Sequence, residues 1–595
     1  MIRKTLYLLG RSRRRWWVLV VILAVFGSFL EVVTAALILL LLTLIVDPDG
    51  AVTLPIIGDL PLVTEGVDEG GTLGVVVVAT GIAAFFVVRA VIKLTETYIQ
   101  NRVVHQAGLR LSAQLVEGYL GMPYVWHLGR NSAELIRNVH DAVGRVVGQV
   151  FVPLIRIVAE SLLLMALLTL LLVVSPTATI LALAVLGPIA LLLVRVVQPT
   201  MKRLGWIAHE SVGRYFATIQ QSLAGIRDVK IFGREWFFAR QFVRDRAEGA
   251  RAGYLVATVA QVPRLLIETS LLLLILGFFV LAIWSGENAT SILPVLGFFA
   301  YAGMRMQPSL QKIVGGINSL RFATASIDEV YRELQQLDQA GARIGVASPD
   351  ALPFEEEITF EDVSFRYENT STPALRDINL RIAKGESIGV CGPTGGGKTT
   401  LVDLLTGLLD PTSGTIRVDG QDLRGQAKAW QQNLGVVSQS VFLLDDTLRR
   451  NIAFGIPDEE IDESAVVDAV HLAQLSEFVG SLPEGLETRV GERGVRLSGG
   501  QRQRIVIARS LYRNPSVLIF DEGTSALDNV TEAELIGTLD RIRGERTIII
   551  VAHRLTTVRK CERIVLVIAG RIADIGGYDE LHSRSAEFRQ LAELG

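Results

Sequence analysis

Residues 392–399 read Gly-Pro-Thr-Gly-Gly-Gly-Lys-Thr, which fits the spacing G-x-x-x-x-G-K-[ST]. The segment follows the apolar, strand-like Ser387–Val390 and precedes the helix-like Thr400–Leu408, as a phosphate-binding loop requires. Its glycines allow backbone N–H groups to approach phosphate oxygens, and the N-terminus of the following helix favours negative charge. Lys398 would reach the β- and γ-phosphates, and the Thr399 hydroxyl would bind Mg²⁺. The loop therefore predicts a nucleoside triphosphate site in an α/β domain.

A second motif downstream supports the same chemistry. Residues 516–522 read Ser-Val-Leu-Ile-Phe-Asp-Glu, a buried-strand pattern that ends in two acids. Asp521, at the end of a strand, can hold Mg²⁺ through water. Glu522 can polarise the attacking water as a general base. The pair predicts that the site hydrolyses its nucleotide.

Four further features lead to a family. Residues 497–501, Leu-Ser-Gly-Gly-Gln, resemble the signature motif of ABC transporters, which in that family caps the γ-phosphate of ATP bound to the other subunit. Tyr367 is placed where the family stacks an aromatic ring on adenine. Gln439 resembles the residue that touches Mg²⁺ and senses the membrane domain, and His553 resembles the switch histidine at the γ-phosphate. Because the motifs occur in the family's order, the chain is identified as a member.

The resemblance implies ATP and Mg²⁺ as cofactors and assigns three groups of residues. Catalytic roles fall on Glu522, His553 and Gln439. The metal ligands would be Thr399, Gln439 and Asp521. The nucleotide would be bound by Tyr367, Gly392, Thr394, Gly395, Gly396, Gly397, Lys398, Thr399, Thr400, Ser498, Gly499, Gly500, Gln501 and Asp528.

The first half of the chain is apolar. Of the 595 residues 50% are hydrophobic, and the long apolar runs lie before about residue 320. A helix needs about 20 apolar residues to cross a bilayer. Six runs qualify: 16–46, 72–97, 147–174, 177–198, 257–284 and 291–318. The first is too long for the core of a signal peptide and is interpreted as an uncleaved membrane helix.

Basic residues predict the orientation of these spans. The connecting segments 101–145 and 199–253 are rich in arginine and lysine, whereas 47–71, 175–176 and 285–290 contain neither. By the positive-inside rule, the N-terminus, both long loops and the ATPase domain are cytoplasmic. We therefore expect a multi-pass protein of a bacterial inner (plasma) membrane.

These patterns predict two domains. The expected fold class is a six-span α-helical ABC exporter domain of the type I exporter (type IV) fold, joined to an α/β P-loop NTPase domain. The expected bounds are 1–325 for the membrane domain, 326–357 for a linker and 358–595 for the nucleotide-binding domain. The long loops keep helical periodicity. They are predicted to continue the membrane helices and to turn near Gly129–Arg137 and Gly225–Phe232, where their tips would press on the ATPase domain.

The family resemblance also predicts a dimer. One chain carries one phosphate-binding loop and one signature, and in the family these face opposite ways, so a complete site needs two chains. Both half-sites have the expected residues, which favours a homodimer, with a heterodimer as the alternative. The remaining partners expected are the membrane and a lipid or lipid-linked anionic substrate, with no nucleic acid.

Charged residues inside predicted spans indicate the transported substrate, because charge is costly in a bilayer. We hypothesise that Arg89, Arg264 and Arg305 line an inward cavity and bind a phosphate or pyrophosphate head group, with Glu31 as the partner of one arginine. The alternative is pairing between helices and snorkelling. Sequence-local pairs at Arg156 with Glu160 and at Arg264 with Glu268 would explain part of the charge in that way.

Short motifs around these residues are similar to those of bacterial flippases for lipid-linked oligosaccharides: Ser28-Phe-Leu-Glu31, Phe86-Val-Val-Arg89-Ala, Val262-Pro-Arg264 and Arg305-Met-Gln-Pro308-Ser. The resemblance implies an exporter that flips a polyprenyl-pyrophosphate-linked oligosaccharide from the inner to the outer leaflet. The alternative is a broad-specificity exporter of lipids or drugs. A soluble ATPase acting on DNA or ribosomes is excluded by the six spans.

Overall fold

The structure is a computed structural model. It describes residues 2–10, 14–46, 53–54, 58–59, 72–174, 176–284, 289–341, 350–368, 370–491, 494–521, 544–552 and 555–594. The chain forms two compact units. The first comprises residues 1–122 and 129–344, and the second comprises residues 123–128 and 345–595.

In the described part of the first unit, the secondary structure is helical apart from one short hairpin, β1 (Thr53–Leu54) with β2 (Gly58–Asp59). Its helices are α1 (Ile2–Leu9), α2 (Arg14–Val46), α3 (Thr72–Gly121), α5 (Ser132–Arg137), α6 (Val143–Val146), α7 (Val152–Val174), α8 (Pro176–Ala224), α9 (Ile226–Ile231), α10 (Glu235–Trp284), α11 (Ala289–Phe322) and α12 (Thr324–Gln339). Two π-helical turns, Asn138–Ala142 and Val147–Phe151, connect α5, α6 and α7. Six long helices thus occupy the six predicted spans.

Three of these helices are far longer than a bilayer is thick. Helices α3, α8 and α10 have 50, 49 and 50 residues, or roughly 75 Å each, against about 30 Å of hydrocarbon. The prediction that the long loops continue the membrane helices is therefore confirmed. Among the described residues, three segments are long and apolar enough to cross a membrane by length and composition: Arg15–Ile38, Ser132–Val173 and Glu235–Leu274.

The two predicted turns differ in outcome. The first comes earlier than Gly129–Arg137, because α3 ends at Gly121 and a short helix, α4 (Tyr124–Leu128), precedes the N-cap Asn131 of α5. Pro123 explains the difference, since it lacks a backbone N–H and disfavours helical geometry in the residue before it. The second turn lies where it was predicted, around Gly225 and the positive-φ Gly233.

The second unit is built on two sheets. Its strands are β3 (Glu357–Phe365), β4 (Leu375–Ala383), β5 (Ser387–Cys391), β6 (Ser413–Val418), β7 (Gln421–Asp422), β8 (Leu434–Val437), β9 (Val517–Asp521), β10 (Thr547–Val551), β11 (Arg563–Ile568) and β12 (Arg571–Gly576). The larger sheet has the order β12-β11-β5-β10-β9-β8 and is parallel except for β12. The smaller sheet is antiparallel, in the order β4-β3-β6-β7.

Helices and two hydrophobic cores cover the faces of the larger sheet. The helices are α4 (Tyr124–Leu128), α13 (Lys398–Leu405), α14 (Ala427–Gln431), α15 (Leu448–Ile452), α16 (Glu463–Leu472), α17 (Ser476–Ser481), α18 (Gly499–Tyr512), α19 (Leu555–Val558), α20 (Tyr578–Arg584) and α21 (Ala586–Leu594). Along β9, Leu518 and Phe520 belong to one core, and Val517 and Ile519 belong to the other. Both faces are thus buried, which is why the parallel strands read as continuous apolar runs.

Candidate functional site

The phosphate-binding loop joins β5 to α13, as the sequence predicts. Gly392 and Gly397 have φ angles of +148° and +108°, where side chains are strained. A Cβ on Gly392 would lie 2.0 Å from the Val567 carbonyl oxygen, and one on Gly396 would lie 2.8 Å from the same atom. Because neighbouring backbone fills these positions, the loop is held in a conformation that only glycine permits.

Lys398 is folded back onto this loop. Its side chain is buried, and Nζ donates hydrogen bonds to the carbonyl oxygens of Gly392 (2.9 Å) and Pro393 (3.1 Å). Thr394, Gly395 and Thr399 are exposed on the same loop. The loop therefore places a cation beneath its exposed hydroxyl and amide groups, which fits a triphosphate with its metal ion.

The parallel sheet brings the other predicted residues to one edge. Strands β5, β10, β9 and β8 are neighbours and parallel, so their carboxyl ends lie along the same edge. Asp521 ends β9, and Gln439 follows β8 by two residues. The edge thus unites the phosphate-binding loop with two predicted metal ligands. Glu522, Asp528 and His553 lie outside the described residues.

Tyr367 lies beside the start of α13. Its hydroxyl is 3.2 Å from the Thr400 hydroxyl, and its ring packs edge-on against Phe365 at a centroid distance of 4.9 Å. These two contacts hold the ring next to the phosphate-binding loop. The stacking of Tyr367 on adenine stays a prediction.

The signature residues form the N-terminus of α18. Ser498 is the N-cap and accepts a hydrogen bond from the Gln501 backbone N–H, while the Gln501 side chain accepts one from the Ser498 N–H. The Ser498 hydroxyl accepts here, so its own proton stays available to an anion. Gly499 and Gly500 open the helix, where backbone N–H groups and the helix dipole favour negative charge.

A hydrogen-bond network that the sequence did not reveal ties α18 to the segment after Gln439. Arg509 on α18 donates to the carbonyl oxygens of Asn451 (2.8 Å) and Phe442 (2.9 Å) and lies over the ring of Phe454. Burial lowers the pKa of Arg509 to about 10. The fully buried Asn451 side chain in turn bonds the backbone of Leu444. No sequence motif marks either residue, because the contacts join positions far apart in the chain.

Tyr124 is a third residue near the site that no sequence motif marks. Residues 123–128 belong to the second unit, and Val125 packs against the core that contains β3 and β5. Burial raises the pKa of Tyr124, and the charges of Asp403 and Tyr367 act in the same direction. Tyr124 is therefore close to the proposed adenine side of the site. The aromatic sequence Tyr-Val-Trp after Pro123 was the available signal.

Asp403 on α13 gives the site a titratable group. Burial raises the pKa of Asp403 to about 6, and the negative charge of Asp521 acts in the same direction. A carboxyl whose folded-state pKa lies above its unfolded value binds more protons when folded. Its contribution to stability is therefore present below about pH 4 and is lost as the pH rises through about 6.

We expect Asp403→Asn to raise the melting temperature of the nucleotide-free protein above pH 6 but not near pH 4. After allowance for partial exposure, the gain in unfolding free energy is about 1 kcal/mol. Thermal unfolding of the full chain from pH 4.5 to 8 measures it, with the exposed Asp468→Asn as the control. A difference from wild type that does not grow with pH would contradict the assignment.

The membrane charges form a cluster in the first unit. The Arg89 guanidinium on α3 lies 2.5 Å from the Glu31 carboxylate on α2, and Arg305 on α11 is hydrogen-bonded to the same oxygen. Arg89 also donates to the Thr34 hydroxyl at 3.1 Å. Glu31 was expected to pair with one arginine, and it pairs with two. We call Glu31, Arg89 and Arg305 the shared-carboxylate cluster.

The remaining charges are arranged differently. Arg264 lies 3.9 Å from Glu268 on α10, and both side chains are more than half exposed. The cluster therefore does not include Arg264. The predicted pair of Glu160 with Arg156 is not formed. Instead, Lys312 lies 2.5 Å from the Glu160 carboxylate, and Ser309 donates a hydrogen bond to it at 2.6 Å. Both partners come from α11, a long-range contact that local spacing could not indicate.

Known proteins resemble both parts of the chain. The family description "ABC transporter transmembrane region" matches residues 17–309, and "ABC transporter" matches residues 375–525. An ATP-dependent lipid A-core flippase of Thiobacillus denitrificans is 31% identical, over 86% of this chain and 87% of its own length. A protein of Bacillus subtilis, named provisionally as a multidrug export ATP-binding/permease protein, is 28% identical over 91% of this chain and 93% of its own.

A solved structure shows the same fold. A bacterial Atm1-family ABC exporter with ATP bound superposes with a TM-score of 0.79 at 24% identity, covering 98% of this chain and 99% of its own. The expected exporter fold is thereby confirmed, as is an ATPase that uses ATP with Mg²⁺. The chain belongs to the ABC transporter family and carries that family's transmembrane region and ATP-binding region in a single polypeptide.

Proposed function

We propose that this ABC exporter is a flippase for an anionic lipid, such as a polyprenyl-pyrophosphate-linked oligosaccharide. It would move the lipid from the inner to the outer leaflet of a bacterial inner membrane, with the N-terminus and ATPase unit cytoplasmic. The observation that carries this proposal is the shared-carboxylate cluster. Two arginines converge on one glutamate, so these three side chains together carry one excess positive charge.

An unbalanced charge in a membrane domain is costly unless it has a ligand. The Glu31 side chain is 7% exposed, whereas those of Arg89 and Arg305 are 21% and 32% exposed. The carboxylate is therefore enclosed, and the guanidinium groups have the accessible edges. Arginine suits phosphate because its planar fork donates two hydrogen bonds at once. Glu31 would hold the guanidinium groups of Arg89 and Arg305 in place before the head group binds.

We include Arg264 in the proposed head-group site because its side chain is charged and exposed. Its guanidinium is loosely paired with Glu268 and is 59% exposed, so little desolvation opposes a new ligand. We assign it a secondary role, as a contact made after the head group has bound the shared-carboxylate cluster.

The ATP cycle would follow the roles that the sequence predicts. Two copies of the chain would form a homodimer in which the phosphate-binding loop of one faces the signature of the other. Thr399, Gln439 and Asp521 would hold Mg²⁺, which neutralises phosphate charge. Glu522 would activate water, and His553 would contact the γ-phosphate. Support comes from the sheet edge, which gathers the phosphate-binding loop, Asp521 and Gln439.

A second candidate function is broad export of apolar lipids or drugs. Helix α10 exposes large apolar side chains, among them Leu265, Leu272 and Leu273, each at least 60% exposed in the single chain. Such a surface could receive uncharged compounds. The Bacillus relative bears a name of that kind. This function would not need the charge of the shared-carboxylate cluster.

Single neutralisations separate the two functions. Arg89→Gln and Arg305→Gln each leave Glu31 with one arginine, so the cluster becomes neutral without an unpaired carboxylate. In proteoliposomes, we expect each variant to lower ATP-dependent flipping of a fluorescent polyprenyl-pyrophosphate glycan by about tenfold or more. The control is Arg195→Gln, an exposed arginine of α8.

The outcomes are distinct. Flipping by Arg89→Gln and Arg305→Gln at the rate of the Arg195→Gln control would refute the head-group role. The broad exporter would be favoured if all three variants took up an uncharged dye at the wild-type, ATP-dependent rate and if no glycan flipping were detected.

A further inference from the structure

A small, mainly apolar cleft lies in the first unit, away from the shared-carboxylate cluster. It forms where the end of α1 and the start of α2 meet the middle of α3. Its lining includes Leu9, Trp16, Trp17, Val103, Gln106 and Arg110. Apolar and aromatic side chains thus stand beside a single guanidinium. Nothing in the ATP cycle or in the proposed head-group site uses these residues.

Arg110 has unused hydrogen-bonding capacity in this cleft. Its Nε is buried, and no described residue accepts a hydrogen bond from it. The guanidinium lies against Gly10, where an added Cβ would come 1.9 Å from Nη2. Gly10 also has a φ of +74°. A glycine at the end of α1 therefore makes room for the arginine.

The depth of the cleft follows from the register of two packed helices. Helices α2 and α3 are antiparallel, because Glu31 meets Arg89 and Gly27 lies beside Glu96. Moving about 21 Å along both helices from that contact brings Trp17 level with Val103. The apolar span of α2 begins at Arg15 by length and composition, so we infer that this level is close to the edge of the membrane. Arg110 lies about 10 Å farther out along α3, in the zone of lipid head groups.

We propose that this cleft binds an anionic phospholipid of the adjoining leaflet, with the phosphate on Arg110 and an acyl chain along Trp16 and Trp17. Tryptophan is suited to this boundary, because its ring is apolar while its N–H reaches the head groups. Arg110 would supply the positive charge that holds the phosphate, since a guanidinium is a good hydrogen-bond donor to phosphate oxygens.

Charge complementarity favours an anionic lipid over a zwitterionic one. The first 17 residues contain no Asp or Glu, and their basic residues are Arg3, Lys4, Arg11, Arg13, Arg14 and Arg15. Lys4 is neutralised by Asp328 at 2.8 Å. In the sequence, Arg11, Arg13, Arg14 and Arg15 directly precede Trp16, which lines the cleft. Basic segments at a membrane end attract anionic head groups.

The test is native mass spectrometry of the delipidated full chain in detergent, titrated with phosphatidylglycerol or phosphatidylcholine. Wild type is compared with Arg110→Gln, with Gly10→Ala and with the control Arg102→Gln, an exposed arginine of the same helix. Gly10→Ala displaces the guanidinium while keeping its charge. Inorganic phosphate serves as a soluble competitor.

We expect wild type and Arg102→Gln to bind one phosphatidylglycerol about tenfold more tightly than phosphatidylcholine. Arg110→Gln and Gly10→Ala should both lose this preference, and millimolar phosphate should not displace the lipid. Retention of the preference in either cleft variant would overturn the site. Equal binding of both lipids to wild type would overturn the anionic assignment. Displacement of the lipid by phosphate would show that the cleft recognises free phosphate and not a lipid.

Discussion

Lys398→Ala is expected to lower ATP hydrolysis by roughly 100-fold or more, since removing one charge-stabilising donor from a preorganised site costs about that factor. The reason is that Lys398 supplies the positive charge of the phosphate-binding loop. Its Nζ is held at 2.9 Å from the Gly392 carbonyl oxygen, so the ammonium is already placed in the loop before nucleotide arrives. Alanine removes this charge, and nothing else in residues 392–399 carries one.

The measurement is phosphate release by the full chain in proteoliposomes. Lys384→Ala is a matched control, because Lys384 is exposed in the turn between β4 and β5 and belongs to the same unit. It should hydrolyse ATP at the wild-type rate. The loop itself should survive, since its backbone is fixed by Gly392 and Gly396 against Val567. Comparable hydrolysis by Lys398→Ala and Lys384→Ala would mean that this loop is not the hydrolytic site.

Features that depend on neighbouring residues were predictable from the sequence. The phosphate-binding loop needs glycine at φ angles that other residues avoid, so the spacing of its glycines can be recognised in the sequence. The strand before Asp521 is buried on both faces and therefore reads as an unbroken apolar run. The order of the motifs then indicated a family, which implied an α/β P-loop NTPase domain. The strand order of its sheet was not specified by any local pattern and comes from the structure.

Features that depend on long-range contacts were not predictable in the same way. Arg509 and Asn451 are 58 positions apart, and their hydrogen bonds exist only because α18 packs beside α15. Glu160 has an arginine one turn away, yet it pairs with Lys312 on another helix. Spacing along one helix shows which pairs are possible, whereas packing between helices decides which of them form.

The shared-carboxylate cluster is the clearest case of this limit, because three helices must meet before one glutamate can serve two arginines. The sequence showed the charges and their rarity in apolar segments. It could not show that Arg89 and Arg305 converge on the same oxygen of Glu31. This sharing makes the carboxylate more important to stability than either arginine, a difference that mutation can measure.

Glu31→Gln is expected to destabilise the membrane unit by about 3–5 kcal/mol, the usual cost of leaving a buried charge without its partner. The change leaves two guanidinium groups without their carboxylate partner. A second neutralisation should therefore restore stability in part: Glu31→Gln combined with Arg305→Gln leaves one cation instead of two. Thermal unfolding of the purified full chain in detergent gives the melting temperatures, and the double-mutant comparison gives the coupling between the two sites.

The matched control is Glu268→Gln, which removes a carboxylate of the same kind from a membrane helix. Glu268 is 56% exposed and lies 3.9 Å from Arg264, so its pairing is weak. We expect this variant to change stability by less than about 1 kcal/mol. Two results would show that the two arginines do not depend on Glu31. One is an equal melting temperature for Glu31→Gln and Glu268→Gln, and the other is a further loss of stability when Arg305→Gln is added to Glu31→Gln. The excess positive charge that the flippase proposal requires would then have another counter-ion.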